Sequence, residues 1–389
     1  MTEHRTFRSG RPDGRFLTTP GFVHHRLQAL RPKLAFDPSF TREQFDEWKR
    51  RVRSRLRRLF ALPRLGRLPA PAMVDSQTRD GYTLQRWEIY PEPDSVVPCL
   101  MLVPDGASRS SPVPAVLCLP GTDHPKECLA GEPCEWPWGS RFQEQDRMAL
   151  HLVRAGLAAA VMDNPSTAEL FDPLMTDWRR QSLELLWLGR SYEGLSTLHK
   201  LAALRWLRTV PLVDRGRIAV CGHSLGAKPA LMAGLLDPTV RAVVWNDHAA
   251  DWRVRSVTTN LMPVAPWHYV PGFALWFDYM DLMAALAPTP LLVTEGGRGE
   301  DHRRIRRAYA LAGAAGGFRV TYMPSFASAQ GRALDRRRMP VGLTAEEYAR
   351  YCSFDGDHYF KADAAVPWLR RVLGPEGDVR RPQAAESFA

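Results

Sequence analysis

Lysine is scarce in this chain, in which six of the 52 basic residues are lysine and the rest are arginine. This preference for arginine over lysine mostly reflects a coding bias of the gene. The formal charge of +10 therefore does not by itself predict a nucleic-acid partner. No apolar run approaches the ~20 residues that a membrane span requires. The first residues are polar and carry neither an apolar core nor a cleavage site, which argues against a signal peptide and predicts a cytoplasmic protein.

Cysteines are also few, and none has the spacing of a metal site. The six lie at positions 99, 118, 128, 134, 221 and 352. Without an export signal we expect reduced, mostly buried thiols, and we predict no metal and no cofactor. Cys128 and Cys134 leave an alternative open, because a loop rich in proline, glycine and tryptophan could bring them together as a disulfide.

The first 75 residues are predicted as an N-terminal extension that ends in a proline-rich linker at 63–71. Residues 1–40 have little periodicity and predict an irregular arm. A capping-box pattern at 41–44 opens a predicted helix over 41–61 with one apolar face. Eight basic and three acidic residues between 41 and 60 make this helix basic. The favoured interpretation is that the apolar face of this helix docks onto the rest of the protein and its arginines face water. The alternative is that the basic residues contact an anionic surface.

Residues 76–375 alternate short apolar runs with helical stretches, which is typical of a domain with a buried parallel sheet. Strands are predicted at 82–90, 98–103, 113–119, 157–162, 217–221, 240–245, 290–294 and 318–323. This order predicts an α/β fold whose mostly parallel sheet is covered by helices on both faces. The aromatic-rich segment 247–288 is predicted as a cap-like insertion, and 376–389 as a C-terminal tail.

The most specific motif is Gly-x-Ser-x-Gly at 222–226, with Ser224 at its centre. It follows a predicted strand and opens a predicted helix, which is the context that a nucleophile elbow requires. The glycines let neighbouring backbone approach a strained turn without a Cβ clash. We therefore predict Ser224 as a nucleophile, with the backbone N–H of Leu225 at a helix start where it can stabilise an oxyanion.

A serine nucleophile needs a base, and His358 is the best placed of the eleven histidines. It lies in a glycine-containing loop after the last predicted strand, which matches the chain order serine, acid, histidine of hydrolases with such an elbow. His223, inside the elbow, faces the wrong way for this role. A histidine of ordinary pKa predicts a pH–rate profile that rises through roughly 6–7.

The acid that orients His358 is expected in the segment 295–301, just beyond a predicted strand. Asp301 is the predicted acid, because a short side chain at a helix start is held firmly by local amide donors. Glu300 and Asp247 remain open as alternatives. A second oxyanion donor is expected from the loop after the strand 113–119, where the N–H of Thr122 is the candidate.

With these residues in place, the chain resembles the dienelactone-hydrolase and acetyl-xylan-esterase branch of the α/β-hydrolases over roughly residues 80–373. The segments 188–191, 217–231, 269–272 and 287–297 carry the resemblance. Three positions depart from it. Pro120 stands where such enzymes usually have the histidine of a His-Gly turn, Gly299 stands where an aspartate is common, and Ser224 replaces the cysteine of true dienelactone hydrolases.

The predicted activity is that of a serine hydrolase that cleaves a carboxylic ester through an acyl-enzyme on Ser224. Its partner would be a small-molecule ester or acyl substrate rather than nucleic acid. A thioesterase, cyclase or acyltransferase of secondary metabolism would use the same triad, since a fold does not determine a reaction. A non-catalytic basic binding module is the alternative from another class, and it predicts steeply salt-dependent binding.

Overall fold

A nine-stranded sheet forms the centre of the chain. The computed structural model describes residues 9–64, 67–122, 124–135, 142–172, 174, 178–259 and 265–375. Within these ranges the strand order is β1-β2-β3-β5-β4-β6-β7-β8-β9. The strands are β1 (Ala72–Arg79), β2 (Tyr82–Ile89), β3 (Val97–Pro104), β4 (Val113–Leu119), β5 (Ala158–Met162), β6 (Val213–His223), β7 (Ala242–Asn246), β8 (Leu291–Val293) and β9 (Phe318–Val320).

The strands divide into an antiparallel edge and a parallel centre. β1, β2 and β3 pair antiparallel, as do β3 and β5. From β5 through β4 to β9 every neighbouring pair is parallel. The carboxyl ends of the parallel strands therefore meet along one edge, which is where sheets of this kind bind ligands.

Helices cover both faces of this sheet, which confirms the predicted fold class. One apolar core includes side chains of α2, α7, α8, α10 and α11, and the other includes side chains of α3, α5 and α13. The helices of the described ranges are α1 (Thr19–Ala29), α2 (Arg42–Leu59), α3 (Lys126–Ala130), α4 (Gln143–Asp146), α5 (Met148–Arg154), α6 (Trp178–Trp187), α7 (Tyr192–Leu207), α8 (Ala227–Leu236), α9 (Trp252–Thr258), α10 (Tyr279–Ala285), α11 (Gly299–Leu311), α12 (Ala345–Tyr351) and α13 (Ala362–Val372).

Helix α2 is part of the main core rather than a separate module. Its capping box forms as predicted, with Thr41 and Gln44 each accepting the backbone N–H of the other. Phe45, Val52 and Leu56 are fully buried in the core that α2 shares with the sheet. The predicted docking of the apolar face is therefore confirmed.

The N-terminal organisation differs from the prediction in two places. The arm 1–40 contains α1, whose buried residues are Gly21 and His24. Strand β1 crosses the predicted boundary at residue 75, and its side chains are mostly exposed. An edge strand and a peripheral helix bury little apolar surface, so neither leaves an apolar period in the sequence. The predicted tail 376–389 lies outside the described residues.

The cysteines follow the prediction at four positions and differ at two. Cys99, Cys118, Cys221 and Cys352 are buried free thiols. Cys128 and Cys134 form a disulfide, because α3 ends at Ala130 and the left-handed Gly131, with φ of +78°, turns the chain back towards it.

Among the helices in the described ranges, none combines the length and apolar character needed to cross a bilayer.

Candidate active site

Ser224 lies on the sharp turn between β6 and α8. Its φ is +53°, and a 3₁₀ turn over Ser224–Gly226 leads into the helix. A Cβ atom on Gly222 would clash with the carbonyl oxygen of Gly226, and one on Gly226 would clash with that of Leu119. Both glycines of the motif are thus required by close backbone packing, and the strained serine has the geometry of a nucleophile elbow.

His358 and Glu295 form a hydrogen-bonded pair at the same edge of the sheet. Nδ1 of His358 lies 2.6 Å from Oε2 of Glu295. The Glu295 side chain has no exposed surface, whereas that of His358 is 31% exposed. Because an ionised carboxylate can only accept, Nδ1 carries a proton, and in the neutral imidazole Nε2 is left as an acceptor. Ser224 and His358 line one cavity.

Neighbouring charges set the basicity of His358. Burial alone would lower its pKa, but the Glu295 carboxylate, with a smaller contribution from Asp247, raises the pKa of His358 to about 9. Lys361 acts in the opposite direction. Its ammonium lies 3.2 Å from Oε1 of Glu295, so one carboxylate is shared between His358 and Lys361.

The prediction of Asp301 as the partner of His358 does not agree with this geometry. Asp301 lies in the first turn of α11, which begins at Gly299 and has Arg298 as its N-cap residue, so Asp301 does not cap the helix either. Burial raises the pKa of Asp301 to about 6, and its charged neighbours include Arg298 and Arg304.

The cause of the difference is the pair of glycines that follows Glu295. Gly296 and Gly297 have φ of +74° and +132°. Their backbone still bonds to Ala249 and Thr321 of the neighbouring segments, so the chain leaves the sheet only after Gly297 and the later acidic residues are carried into α11. An acid directly at a strand end and followed by Gly-Gly was the sequence signal that would have identified Glu295.

The two alternative acids are held by other partners. Glu300 forms an ion pair of 2.6 Å with Arg298. Asp247 accepts the backbone N–H of His248 at 2.7 Å and lies 2.9 Å from its Nδ1. Asp247 does line the cavity with Ser224, and so it remains near the reacting groups.

Asn246, at the end of β7, ties the His358 loop to the sheet and was not identified from the sequence. Its Oδ1 accepts the backbone N–H of Lys361 at 2.8 Å, and its Nδ2 donates to the carbonyl oxygen of Tyr359 at 3.0 Å. Nδ2 also lies 2.8 Å from Nδ1 of His223. Since the Lys361 N–H identifies the oxygen end of the amide, His223 accepts at Nδ1 and carries its proton on Nε2. The one available signal was a polar residue closing a buried apolar strand.

The loop after β4 packs directly on the elbow, as a second oxyanion donor requires. Thr122 and Leu225 both line the cavity of Ser224. Asn164, which follows β5, donates from Nδ2 to the carbonyl oxygens of Pro120 and Gly121 at 3.0 and 3.2 Å. This buried amide fixes the turn that presents Thr122, and the sequence did not single it out.

The cavity has a volume of about 290 Å³ and receives residues from the predicted cap. Trp252, Arg255 and His268 of the segment 247–288 line it, while residues 260–264 lie outside the described ranges. Trp276, an aromatic residue of the same segment, instead packs against α2, with the Arg55 guanidinium 3.5 Å from its ring centroid. The cap-like segment therefore serves both the cavity and the docking of α2.

Among the residues that the structure describes, two groups of side chains have the spacing of metal ligands. The ligand atoms of His124, Asp146 and His223 lie within 4.8 Å of one another, as do those of His223, Glu295 and His358. Hydrogen bonds already use several of these atoms. Asp146 accepts the backbone N–H of Phe360 at 2.8 Å, and the tautomer of His223 places a proton on its Nε2. The expectation of a metal-independent site stays a prediction.

Comparisons with known proteins agree with this architecture. The model of the Abhydrolase family (Abhydrolase_7) matches residues 1–371. A crystal structure from Bacteroides fragilis, described as a "putative acetyl xylan esterase", has a TM-score of 0.88 at 34% identity and covers 95% of this chain and 98% of that chain.

Two further proteins are more distant. A glucuronoyl esterase from Solibacter usitatus has a TM-score of 0.53 at 16% identity, covers 84% of this chain and 97% of that chain, and shows likeness of fold alone. The protein "Putative hydrolase YtaP" of Bacillus subtilis (strain 168) is 27% identical over 146 residues. That alignment covers 35% of this chain and 49% of the relative, so the chain spans about half of that protein's length.

Proposed function

The chain belongs to the Abhydrolase family, and from this premise we propose that it is a serine esterase that forms an acyl-enzyme on Ser224. One observation carries the proposal. Ser224 sits at a strained strand–helix turn and shares a cavity with His358, whose Nδ1 is held by the buried carboxylate of Glu295. This is the arrangement of nucleophile, base and orienting acid that acyl transfer requires.

In the proposed mechanism the Oγ atom of Ser224 attacks the ester carbonyl carbon and its proton passes to Nε2 of His358. The oxyanion is stabilised by the N–H groups of Leu225 and Thr122. When the carbon–oxygen bond breaks, the leaving alkoxide takes the proton from His358. Water then attacks the acyl-enzyme, gives a proton to His358, and releases the carboxylic acid as Ser224 recovers its proton. Glu295 stays ionised and stabilises the imidazolium throughout.

We propose that the enzyme prefers esters with a short acyl group, and acetyl esters are the first candidate substrates. The cavity of about 290 Å³ lies at the small end of the range for ligand sites. The Bacteroides fragilis protein described as a "putative acetyl xylan esterase" is similar over nearly the whole chain, so acetylated xylan belongs among the test substrates. A panel of 4-nitrophenyl esters from acetate to octanoate, with acetylated xylan, tests this proposal. Turnover that is absent on every ester, or unchanged by a covalent serine inhibitor, would refute it.

Thioesters and added alcohols test the remaining alternative. If a thioester is cleaved far faster than the matched oxygen ester, the enzyme is a thioesterase. If an added alcohol captures the acyl group in preference to water, it is an acyltransferase. The proposed esterase predicts that the thioester is not cleaved far faster than the matched oxygen ester, and that water rather than the added alcohol receives the acyl group.

The pH dependence follows from the His358–Glu295 pair. His358 must be neutral to accept the proton of Ser224, and its pKa is raised to about 9. Below this pKa kcat/KM for a neutral ester should therefore rise about tenfold per pH unit, and it should level off near pH 9 rather than at the roughly 6–7 of an ordinary histidine.

The variant Lys361→Met should move this rise to higher pH, because the ammonium of Lys361 lowers the pKa of His358. Lys361→Arg keeps the charge and serves as the control, so its profile should stay close to that of the wild type. An unchanged pH profile in Lys361→Met would show that Lys361 has no electrostatic effect on the base.

A further inference from the structure

A buried lysine lines the cavity one helical turn beyond Ser224. Lys228 lies in the first turn of α8 and is 6% exposed. Its Nζ is 2.6 Å from Nδ1 of His268, 3.8 Å from the ring centroid of Trp252 and 5.3 Å from that of Tyr279. Burial lowers the pKa of His268 well below its usual range, so this hydrogen-bond partner is neutral. In the part of the chain that the structure describes, no carboxylate is hydrogen-bonded to Lys228.

An arginine from the cap-like segment lines the same cavity. The guanidinium of Arg255, on α9, lies 4.8 Å from the ring centroid of Trp252 and 5.9 Å from that of Tyr348. Across the described ranges, Arg255 forms no ion pair. The cations of Lys228 and Arg255 therefore both lie against the ring of Trp252, in the cavity that Ser224 lines. The low dielectric constant of this buried site strengthens interactions between charges.

The carboxylates of Glu193, Asp247 and Asp278 act on the charge of Lys228. Asp278 already accepts backbone N–H groups at the start of α9 and α10. Asp247 is already bonded to the backbone and ring of His248. Glu193 is 1% exposed, its charge raises the pKa of Lys228, and burial raises the pKa of Glu193 to about 7. Burial lowers the pKa of Lys228 to about 8, which leaves the ammonium mostly protonated at neutral pH.

We infer that the cavity selects esters that carry a carboxylate in their acyl or alcohol part, bound by Lys228 and Arg255. An ammonium has three donors, and a guanidinium matches a carboxylate in a bidentate way. Such charge-assisted bonds fix the ester relative to Ser224 as well as adding affinity. This inference rests on the proposed esterase function and adds the substrate class.

Two matched ester pairs test the inference. In the first the acyl part differs: the 4-nitrophenyl half-ester of adipate carries a carboxylate where 4-nitrophenyl 6-oxoheptanoate carries a neutral acetyl group. In the second the alcohol part differs: 4-acetoxybenzoate is compared with 4-acetoxybenzamide. At pH 7 the ammonium of Lys228, with its pKa of about 8, is mostly protonated. After correction for spontaneous hydrolysis at this pH, kcat/KM should favour the anionic member of at least one pair by about tenfold or more. The pair that responds identifies which part of the ester carries the anion.

Lys228→Met and Arg255→Gln should each reduce this anionic-to-neutral ratio by about tenfold. Arg55→Gln is the matched control, because Arg55 also stacks on a tryptophan but lies on α2 and does not line the cavity. Arg55→Gln should leave the ratio unchanged. If one cavity variant does not fold, the other still gives the comparison.

The inference is overturned if the wild type shows no preference for the anion in either pair, or if the preference survives in both cavity variants. Failure of the proposed function has a different signature, since the neutral esters would then not be hydrolysed in a Ser224-dependent way. Ester hydrolysis that depends on Ser224 without an anion preference refutes the substrate class alone.

Discussion

Replacing Ser224 with alanine should lower ester turnover by about 10⁶-fold, as when the nucleophile of a catalytic triad is removed. The alanine side chain is a single methyl group, so alanine tolerates the strained φ of +53° at this turn as well as serine does. The change should therefore remove the nucleophile and leave the melting temperature nearly unchanged. His358→Ala should be about as damaging, and the double variant little worse, because the residues act as one unit.

Ser166→Ala is the matched control, since Ser166 also has a positive φ, of +61°, but does not line the cavity of Ser224. It should retain wild-type turnover. Near wild-type activity in Ser224→Ala, or losses that add in the double variant, would contradict the proposed roles.

Glu295→Gln should lower turnover by roughly 10⁴-fold while the protein remains folded. The carboxylate of Glu295 accepts the Nδ1 proton of His358 at 2.6 Å. An amide in the same place can present a donor instead, which favours the wrong histidine tautomer and removes the charge that stabilises the imidazolium. The measurement is kcat on an activated ester at a pH above 9, where the wild-type base is neutral.

Asp301→Asn is the control that separates the two acids. Asp301 is buried in the first turn of α11 among other charged groups, and its pKa is raised to about 6 by burial. Because Nδ1 of His358 is bonded to Glu295 and not to Asp301, Asp301→Asn should leave turnover near that of the wild type. A large loss in Asp301→Asn with a silent Glu295→Gln would return the role to Asp301, and a loss confined to Asp247→Asn would move it to the preceding strand.

Most strands of the sheet were predictable because burial on both faces leaves continuous apolar runs. The elbow was predictable for a steric reason: Gly222 and Gly226 pack against backbone atoms and allow no side chain. His358 could be singled out by its place in the chain order. By contrast, β1 is mostly exposed at the edge of the sheet and carries no apolar alternation from which a strand could be predicted.

The acid and the supporting amides were missed because they depend on tertiary geometry. A helix-start argument favoured Asp301, but Asp301 lies within α11, which begins at Gly299, while Glu295 stays at the sheet edge beside His358. Asn246 and Asn164 act through hydrogen bonds to loops far away in the sequence, 115 residues for Asn246 and Lys361. No local sequence pattern predicts a hydrogen-bond partner so far away in the chain. The different roles of Trp252, which lines the cavity, and Trp276, which packs against α2, also depend on tertiary contacts.

Covalent labelling of Ser224 is the most direct test of the central claim. A fluorophosphonate probe reacts with an activated serine, and mass spectrometry of the intact and digested protein counts and locates the adducts. The proposed mechanism predicts one adduct, on the peptide that contains Ser224, at a rate that falls in His358→Ala in step with ester turnover. Labelling at another residue, or none in a protein that still hydrolyses esters, would contradict it.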